Sequence, residues 1–379
     1  MKYIPYARQS IDAKDIKAVI DVLKSDYVTQ GPKVHEFEKK VAGYCGAKYA
    51  VALNSGTSAL HAACFAAGIK PKDEAITSPV SFAASSNCVL YCGGIPVFAD
   101  ILEDTVTMVP SAIEKVITKK TKAIIPVDFA GHPAELEDIK RIASKRGLII
   151  IEDAAHALGA EYKGRKVGSC SYSDMTIVSF HAVKHITTGE GGMVLTNRKD
   201  FYDKLIMFRS HGITRDRRML INKDKGQWFY EMQMLGFNYR ITDIQCALGL
   251  SQMDKLDNFI KRRREIACFY KEAFSDMEEV RCLEEREYVV SSWHIFPLRI
   301  NKNRDKVFDK LRVGNIGVSL HYIPIYLHPY YEKLGYRKGL CPKAEKYFKE
   351  TMTLPLFPKM SNSEIKKVIT AVKNAVGNL

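Results

Sequence analysis

Short apolar segments alternate with amphipathic stretches through the first half of this chain, and that alternation restricts the fold more than any other feature. Tyr49-Ala-Val-Ala-Leu53 leads into the small-residue run Gly56 to Ala63, and Glu74-Ala-Ile-Thr77 leads into Phe82 to Tyr91. Pro96-Val-Phe-Ala99 precedes Pro110 to Thr118, Ala123-Ile-Ile-Pro-Val127 precedes Pro133 to Arg146, and Leu148-Ile-Ile-Ile-Glu-Asp153 follows. Apolar strands separated by helical stretches imply βαβ units, so the expected fold is α/β: a mostly parallel central sheet with helices on both faces. Ligands of such sheets bind at the carboxyl ends of the strands. The polar residues that directly follow each strand are therefore the candidates: Asn54 to Ser58, Ser78 to Ser81, Asp128, Asp153 and Ser179.

Ahead of the sheet, Ile16, Val19, Ile20 and Leu23 recur at helical spacing, with Ser10 as the expected N-cap. Beyond Asn197 the pattern changes. Thr242 to about Phe274 reads as one long helix, Trp293 to Ile300 as a strand, Asp305 to Val313 as a helix, Gly317 to Tyr322 as a strand and Ser363 to Ala375 as a terminal helix. The expected division is a large α/β domain over residues 1–250 and a smaller C-terminal α+β domain over 251–379. No apolar run approaches the roughly 20 residues of a membrane span, and the first residues lack a signal-peptide apolar core, so a cytoplasmic protein with no membrane contact is expected. The 9 cysteines are scattered, with no C-x-x-C and no zinc spacing, which argues for reduced thiols and no metal. The net charge of +14 is spread over many helices. With no nucleic-acid signature beside it, it reads as solvated helix faces and suits a phosphate-bearing small substrate.

Three stretches can carry chemistry. At Asn54-Ser-Gly-Thr-Ser58 a strand gives way to a helix, and backbone N–H groups at a helix start, with glycine permitting close approach and Thr57 and Ser58 adding hydroxyls, can hold an anion. An ordinary N-cap is the alternative; a Walker loop is excluded because no Gly-Lys-Ser/Thr follows. Asp153 ends an apolar strand, so its carboxylate needs a cationic partner, which a buried ion pair or a pyridinium nitrogen would supply. Lys184, beyond the strand Met175 to Phe180, sits at the ligand edge, where a lysine can lose its proton and form a Schiff base with an aldehyde.

In order and spacing, Gly56-Thr57-Ser58, Phe82, Glu152-Asp-Ala-Ala-His156, Ser179-Phe-His-Ala-Val-Lys184, Gly189-Glu-Gly-Gly192 and Gly236-Phe-Asn-Tyr-Arg240 closely resemble the pyridoxal-phosphate-dependent sugar aminotransferases of the DegT/DnrJ/EryC1/StrS family. Arg209 to Ile213 and Thr242 to Gly249 match further family signatures. The resemblance covers essentially the whole chain and implies an aspartate-aminotransferase-like, fold type I architecture. It implies that Lys184 is the catalytic lysine, bonded to pyridoxal 5'-phosphate (PLP), and that Asp153 pairs with the ring nitrogen. His156 would lie near the phenolic oxygen and Phe82 on the ring face. Gly56, Thr57, Ser58 and Ser179 would bind the phosphate, and Asn238 would reach the phosphate site of a partner in a homodimer with shared active sites. Some relatives carry histidine in place of the lysine and are dehydrases; Lys184 favours aminotransfer.

Within the family, Tyr6, Asp26 to Gly31, Phe180 to Thr188 and Leu320 to Ile325 resemble members that aminate C4 of a UDP-4-keto-6-deoxy-N-acetylhexosamine, UDP-4-keto-6-deoxy-β-L-AltNAc, for pseudaminic acid. By that likeness Tyr6, Asp26, Tyr27, Val28, Thr29, Leu320, His321, Tyr322 and Ile323 would line the substrate pocket with Gly56, Ser179 and Asn238. L-glutamate would be the amino donor. Two alternatives stay open on the sequence: another 4-keto nucleotide sugar, of perosamine or 4-amino-arabinose type, and a non-catalytic regulatory relative of the fold.

Overall fold

The computed structural model describes residues 3–377. Seven strands form the central sheet: β1 (Tyr49–Leu53), β2 (Glu74–Thr77), β3 (Ile95–Phe98), β4 (Thr121–Ile125), β5 (Ile149–Asp153), β6 (Met175–Ser179) and β7 (Gly192–Thr196). Their order is β1-β7-β6-β5-β4-β2-β3. β3, β2, β4, β5 and β6 run parallel, and β7 alone is antiparallel to both of its neighbours, β6 and β1. The expected mostly parallel sheet is therefore present, with one reversed strand that the alternation of segments did not reveal.

The buried strand residues are apolar on both faces, Val51 and Leu53, Ile76, Ile124 and Ile125, Ile150 and Ile151, Ile177 and Val178, because helices cover both sides and leave no face for water. One cluster packs the helix Gly56–Ala66 over β1, β5, β6 and β7, where Ala59, Ala62 and Ala63 allow close approach. Another, on the other face, joins Phe37 and Val41 of the helix Pro32–Cys45 to Val178, Phe180 and Leu195. Phe37 is fully buried, and truncating it to alanine would cost about 3–5 kcal/mol.

The first helix runs Ala13–Leu23 and is capped by Asp12, not Ser10: the Asp12 carboxylate accepts from the N–H groups of Lys14 and Asp15, and the Asp15 carboxylate accepts from Asp12 N–H. An ionised carboxylate makes a stronger cap bond than a hydroxyl. Ser10 instead offers its carbonyl to Gln252. The expected long helix is two, Asp243–Met253 and Leu256–Phe274. The expected division at residue 250 falls within the first of these, so the break at Asp254–Lys255 is the better candidate seam. In the C-terminal part Phe296–Ile300 lies between Val280–Cys282 and Thr351–Leu354 in an antiparallel sheet. Gly317 to Tyr322 forms no strand; Ser319 makes a single bridge to Thr353. The core of this part also takes in Ile4, Val80, Phe98 and Phe129 from the first half, so it packs directly against the carboxyl ends of the large sheet.

Candidate active site

The carboxyl ends of β1, β5 and β6 open into a cavity of about 440 Å³. Gly56, Thr57, Phe82, Asp153, His156, Ser179 and Lys184 line it from the large sheet, and Tyr6, His294, His321 and Tyr322 close it from the other side. β7 explains how distant segments meet. Gly192 is in register with Leu53 on one side and Ser179 on the other. A Cβ at Gly192 would stand 2.4 Å from the Ser55 carbonyl and 2.6 Å from Gly56 N, so only glycine lets the helix start lie this close to the strand. At Gly56 an added Cβ would meet Ser179 Oγ at 3.2 Å, which leaves the Gly56 N–H and the Ser179 hydroxyl as a cradle for a group with no side chain between them.

Ser55 caps that helix, accepting from Ser58 N–H at 3.0 Å, while the Ser58 hydroxyl donates back to the Ser55 carbonyl at 2.8 Å. Ser58 is 4 % exposed and does not line the cavity. The expected Ser58 contact to a phosphate is therefore replaced by a capping box, because its amide and hydroxyl already have partners. The free donors face the cavity from Gly56, Thr57 and Ser179.

Lys184 projects into the cavity opposite Asp153. Enclosure by protein lowers its pKa to about 7; Asp153 acts the other way, and the Arg263 guanidinium adds to the lowering. Near neutral pH the ammonium and the free amine are thus both well populated. Asp153 is buried, and its Oδ2 accepts from Ser85 Oγ at 2.5 Å while its Oδ1 accepts from Ala155 N–H at 3.2 Å. Burial pushes its pKa up, against the Ser85 and Ala155 hydrogen bonds and the charge of Lys184. Among the described residues no cation forms an ion pair with this carboxylate. Asp128, the other strand-end acid, turns away from the cavity, takes Ala134 N–H, and has its pKa raised by burial and then by Glu152.

His156 directs Nε2 to the Tyr322 hydroxyl at 3.2 Å, and its buried Nδ1 has no partner. The rings of Tyr6 and His321 meet at a tilt of 48°, 5.6 Å between centres, with His321 Nδ1 tied to Thr353 Oγ1. Phe82 remains 63 % exposed at the mouth. Asp26, Tyr27, Val28, Thr29, Asn238, Leu320 and Ile323 do not line the cavity. The segment Asp26 to Gly31 is instead pinned to the start of the helix Asp243–Met253: the buried Asp243 carboxylate accepts from Gly31 and Lys33 N–H groups. Asn238 is exposed on the surface, its carbonyl accepting from Asn54. His294 was not anticipated. It sits 110 residues from Lys184 in a segment whose pattern reads only as a strand, and no local motif marks it.

A cradle of backbone N–H groups and a serine, a buried carboxylate with no ion-pair partner among the described residues and a lysine that can lose its proton near neutral pH, all in one cavity, fit a phosphorylated aldehyde with a basic ring nitrogen. The family model for DegT/DnrJ/EryC1/StrS aminotransferases matches residues 9–373. The chain belongs to that family. It is a PLP-dependent sugar aminotransferase with the fold type I architecture. It is 38% identical over 371 residues to the UDP-4-amino-4,6-dideoxy-N-acetyl-β-L-altrosamine transaminase of Campylobacter jejuni, covering 96% of this chain and 95% of that one. It is 39% identical over 381 residues to the spore coat polysaccharide biosynthesis protein SpsC of Bacillus subtilis, covering 99% and 97%. Among solved structures, PseC of Helicobacter pylori, an aminotransferase involved in the biosynthesis of pseudoaminic acid, superposes with a TM-score of 0.93 at 33% identity over 100% of both chains. No helix among the described residues is long and apolar enough to cross a membrane.

Proposed function

We propose that this aminotransferase transfers the amino group of L-glutamate to C4 of UDP-4-keto-6-deoxy-β-L-AltNAc, the amination step toward pseudaminic acid. The observation that carries the aminotransfer itself is the half-buried Lys184 amine, with its pKa near 7, in one cavity with the Asp153 carboxylate. The substrate rests on the likeness to the altrosamine transaminase and PseC, and on the wall of Tyr6, His321 and Tyr322, whose rings and hydroxyls offer stacking faces and hydrogen bonds to a sugar and uracil.

PLP, when bound, supplies an aldehyde carbon that exchanges amino groups and a ring that withdraws electrons from the neighbouring carbon. Asp153 would face the ring nitrogen and keep it protonated. Gly56, Thr57 and Ser179 would hold the phosphate through N–H and hydroxyl donors at the positive end of a helix. Lys184 Nζ takes the proton from the α-carbon of glutamate in one half of the cycle and returns a proton to the sugar carbon in the other. A lysine near neutrality performs both tasks, since neither its acid nor its base form is rare at working pH. Phe82 and the rings opposite keep bulk water from the reacting carbon.

We also infer a homodimer in which Asn238 and the segment Asp26 to Thr29 serve the partner's cavity. They are exposed and outside their own cavity, and Tyr27 and Val28 are apolar residues left 58% and 44% exposed.

The decisive experiment supplies the purified protein with glutamate and a panel of 4-keto nucleotide sugars and identifies the amine formed. Amination of the altrosamine-type substrate at C4 is expected. Turnover of a perosamine or 4-amino-arabinose precursor alone would refute the narrow assignment. A colourless protein that takes up no added PLP would refute the enzyme reading as well.

A further inference from the structure

The amine of Lys184 lies 3.4 Å from Nε2 of His294, a residue just before the strand Phe296–Ile300. His294 is 3 % exposed. Its ring centre is 4.4 Å from that of His156 and 5.5 Å from that of His185, and its Nδ1 is buried without a partner. The other two histidines have committed their Nε2 atoms elsewhere, His156 to the Tyr322 hydroxyl and His185 to the Ser292 carbonyl. Of the three, His294 is the one whose Nε2 is turned to the lysine.

Its backbone is held firmly. Arg263 Nη1 donates to the carbonyls of Trp293, His294 and Leu356, and His294 N–H donates to the Ala130 carbonyl at 2.9 Å. Arg263 is itself 1 % exposed, and among the described residues no carboxylate pairs with it; its hydrogen bonds all go to main-chain oxygens. Nε of this buried guanidinium has no partner, and Nη1 alone ties the Trp293–His294 and Leu356 segments to the helix that carries Arg263. An ammonium has donors only, so against it Nε2 must accept and the ring proton belongs on Nδ1. Burial, then the charges of Lys184, His156, His185 and Arg263, lower the proton affinity of His294, so it accepts the bond without taking the proton.

We propose that His294 is a positioning residue for Lys184: its Nε2 is the fixed acceptor on which the lysine amine rests whenever it is not bonded to the cofactor. This rests on the reading of Lys184 as the lysine that carries PLP. A freed four-carbon amine in a cavity of this size has many orientations, and one anchored acceptor keeps Nζ beside the carbon it must deprotonate.

The test uses the full-length apoprotein, reductively methylated with formaldehyde across pH 5–10, with Lys184 modification followed by mass spectrometry. The wild-type midpoint is expected near the lysine pKa of about 7. His294→Phe removes the acceptor of the ammonium and should lower the midpoint by about one unit, while His294→Gln, with an amide oxygen in reach, should hold it within a few tenths. In the PLP-loaded protein His294→Phe should slow the glutamate half-reaction with little change in glutamate affinity. An unmoved midpoint in His294→Phe overturns the inference, and so does an equal fall in both variants, which would make the effect one of packing. The contact is also read without altering His294: Lys184→Met should abolish the change in the His294 Nε2 nitrogen-15 shift near pH 7, and persistence of that change overturns it. Because the midpoint needs neither PLP nor substrate, failure of PLP uptake sinks the functional reading separately. Normal turnover with an unmoved midpoint sinks this inference alone.

Discussion

At the scale of single residues, the site is a balance between burial and charge. Lys184 has its pKa lowered to about 7 by enclosure, whereas an unfolded lysine titrates near 10.4. Between those values the unfolded chain binds a proton that the folded apoprotein does not, so stability must rise with pH through that window. Below pH 7 both states are protonated and the full cost of the buried ammonium is felt. We expect the stability gained by Lys184→Met over the wild-type apoprotein to grow as pH falls from about 10 to 7 and then to level off, read from urea midpoints. A constant difference would mean that the lysine reaches water. Asp153→Asn removes the buried carboxylate proposed to hold a ring proton; a loss of roughly 100-fold or more in kcat, with a shifted cofactor absorption band, is expected. Lys184 and Asp153 were readable from sequence because each follows an apolar strand at a sheet's ligand edge. Ser58 was misread for a physical reason: a hydroxyl at a helix start serves a ligand or a cap equally well, and only the partner Ser55 decides which. His294 was invisible because its function depends on a neighbour brought in by the fold.

At the scale of elements, the alternation of strands and helices revealed the five parallel neighbours but not β7. Gly192–Thr196 follows the turn Thr188 to Gly191 with no helical stretch before it, so the strand–helix alternation does not mark it. The start of β7 governs the site. Since a Cβ on Gly192 would press on the backbone of Ser55 and Gly56, Gly192→Ala should push the helix start away from Ser179. We expect a stability loss of about 1–3 kcal/mol and PLP affinity weakened by roughly tenfold or more, measured by unfolding and by equilibrium dialysis. Unaltered PLP binding would show that the cradle does not depend on this approach. Ser55→Ala tests the same helix start differently. It removes the cap without adding bulk, and should cost about 1 kcal/mol of stability with a smaller loss of PLP affinity. The Thr242 to Phe274 pattern reads as one helix because apolar residues continue in phase through Asp254–Lys255, where the chain breaks so that Lys255 can pair with Asp12 and the fully buried Asp15.

At the scale of the whole molecule, the charge and the exposed apolar residues tell different stories. The net charge of +14 is distributed, and a few of its lysines sit in helix ion pairs, as in Lys17–Asp21 and Lys199–Asp203. Two groups of exposed apolar residues stand out: Ile16, Ile20 and Leu23 along the first helix with Tyr27 and Val28 after it, and Ile221, Trp228, Tyr230, Met232 and Leu235 in and around the segment that pairs Ile213–Thr214 with Glu231–Met232. Patches of this kind mark interfaces, and the sequence could not distinguish them from core because their periodicity is the same. If two copies pair through them and share sites, a dimer of a chain lacking Lys184 and a chain lacking the Asn238 side chain carries both defects in one site and none in the other. After unfolding and refolding an equal mixture of Lys184→Ala and Asn238→Ala, half of the dimers are mixed, and one of the two sites in each mixed dimer is intact. Activity should therefore recover to about a quarter of the wild-type value per chain, although Lys184→Ala alone is inactive and Asn238→Ala alone is weak. If Asn238 serves its own chain's cavity, the mixture should show only the average of the two separate variants. A mixture that stays monomeric in sedimentation would remove the shared-site arrangement altogether.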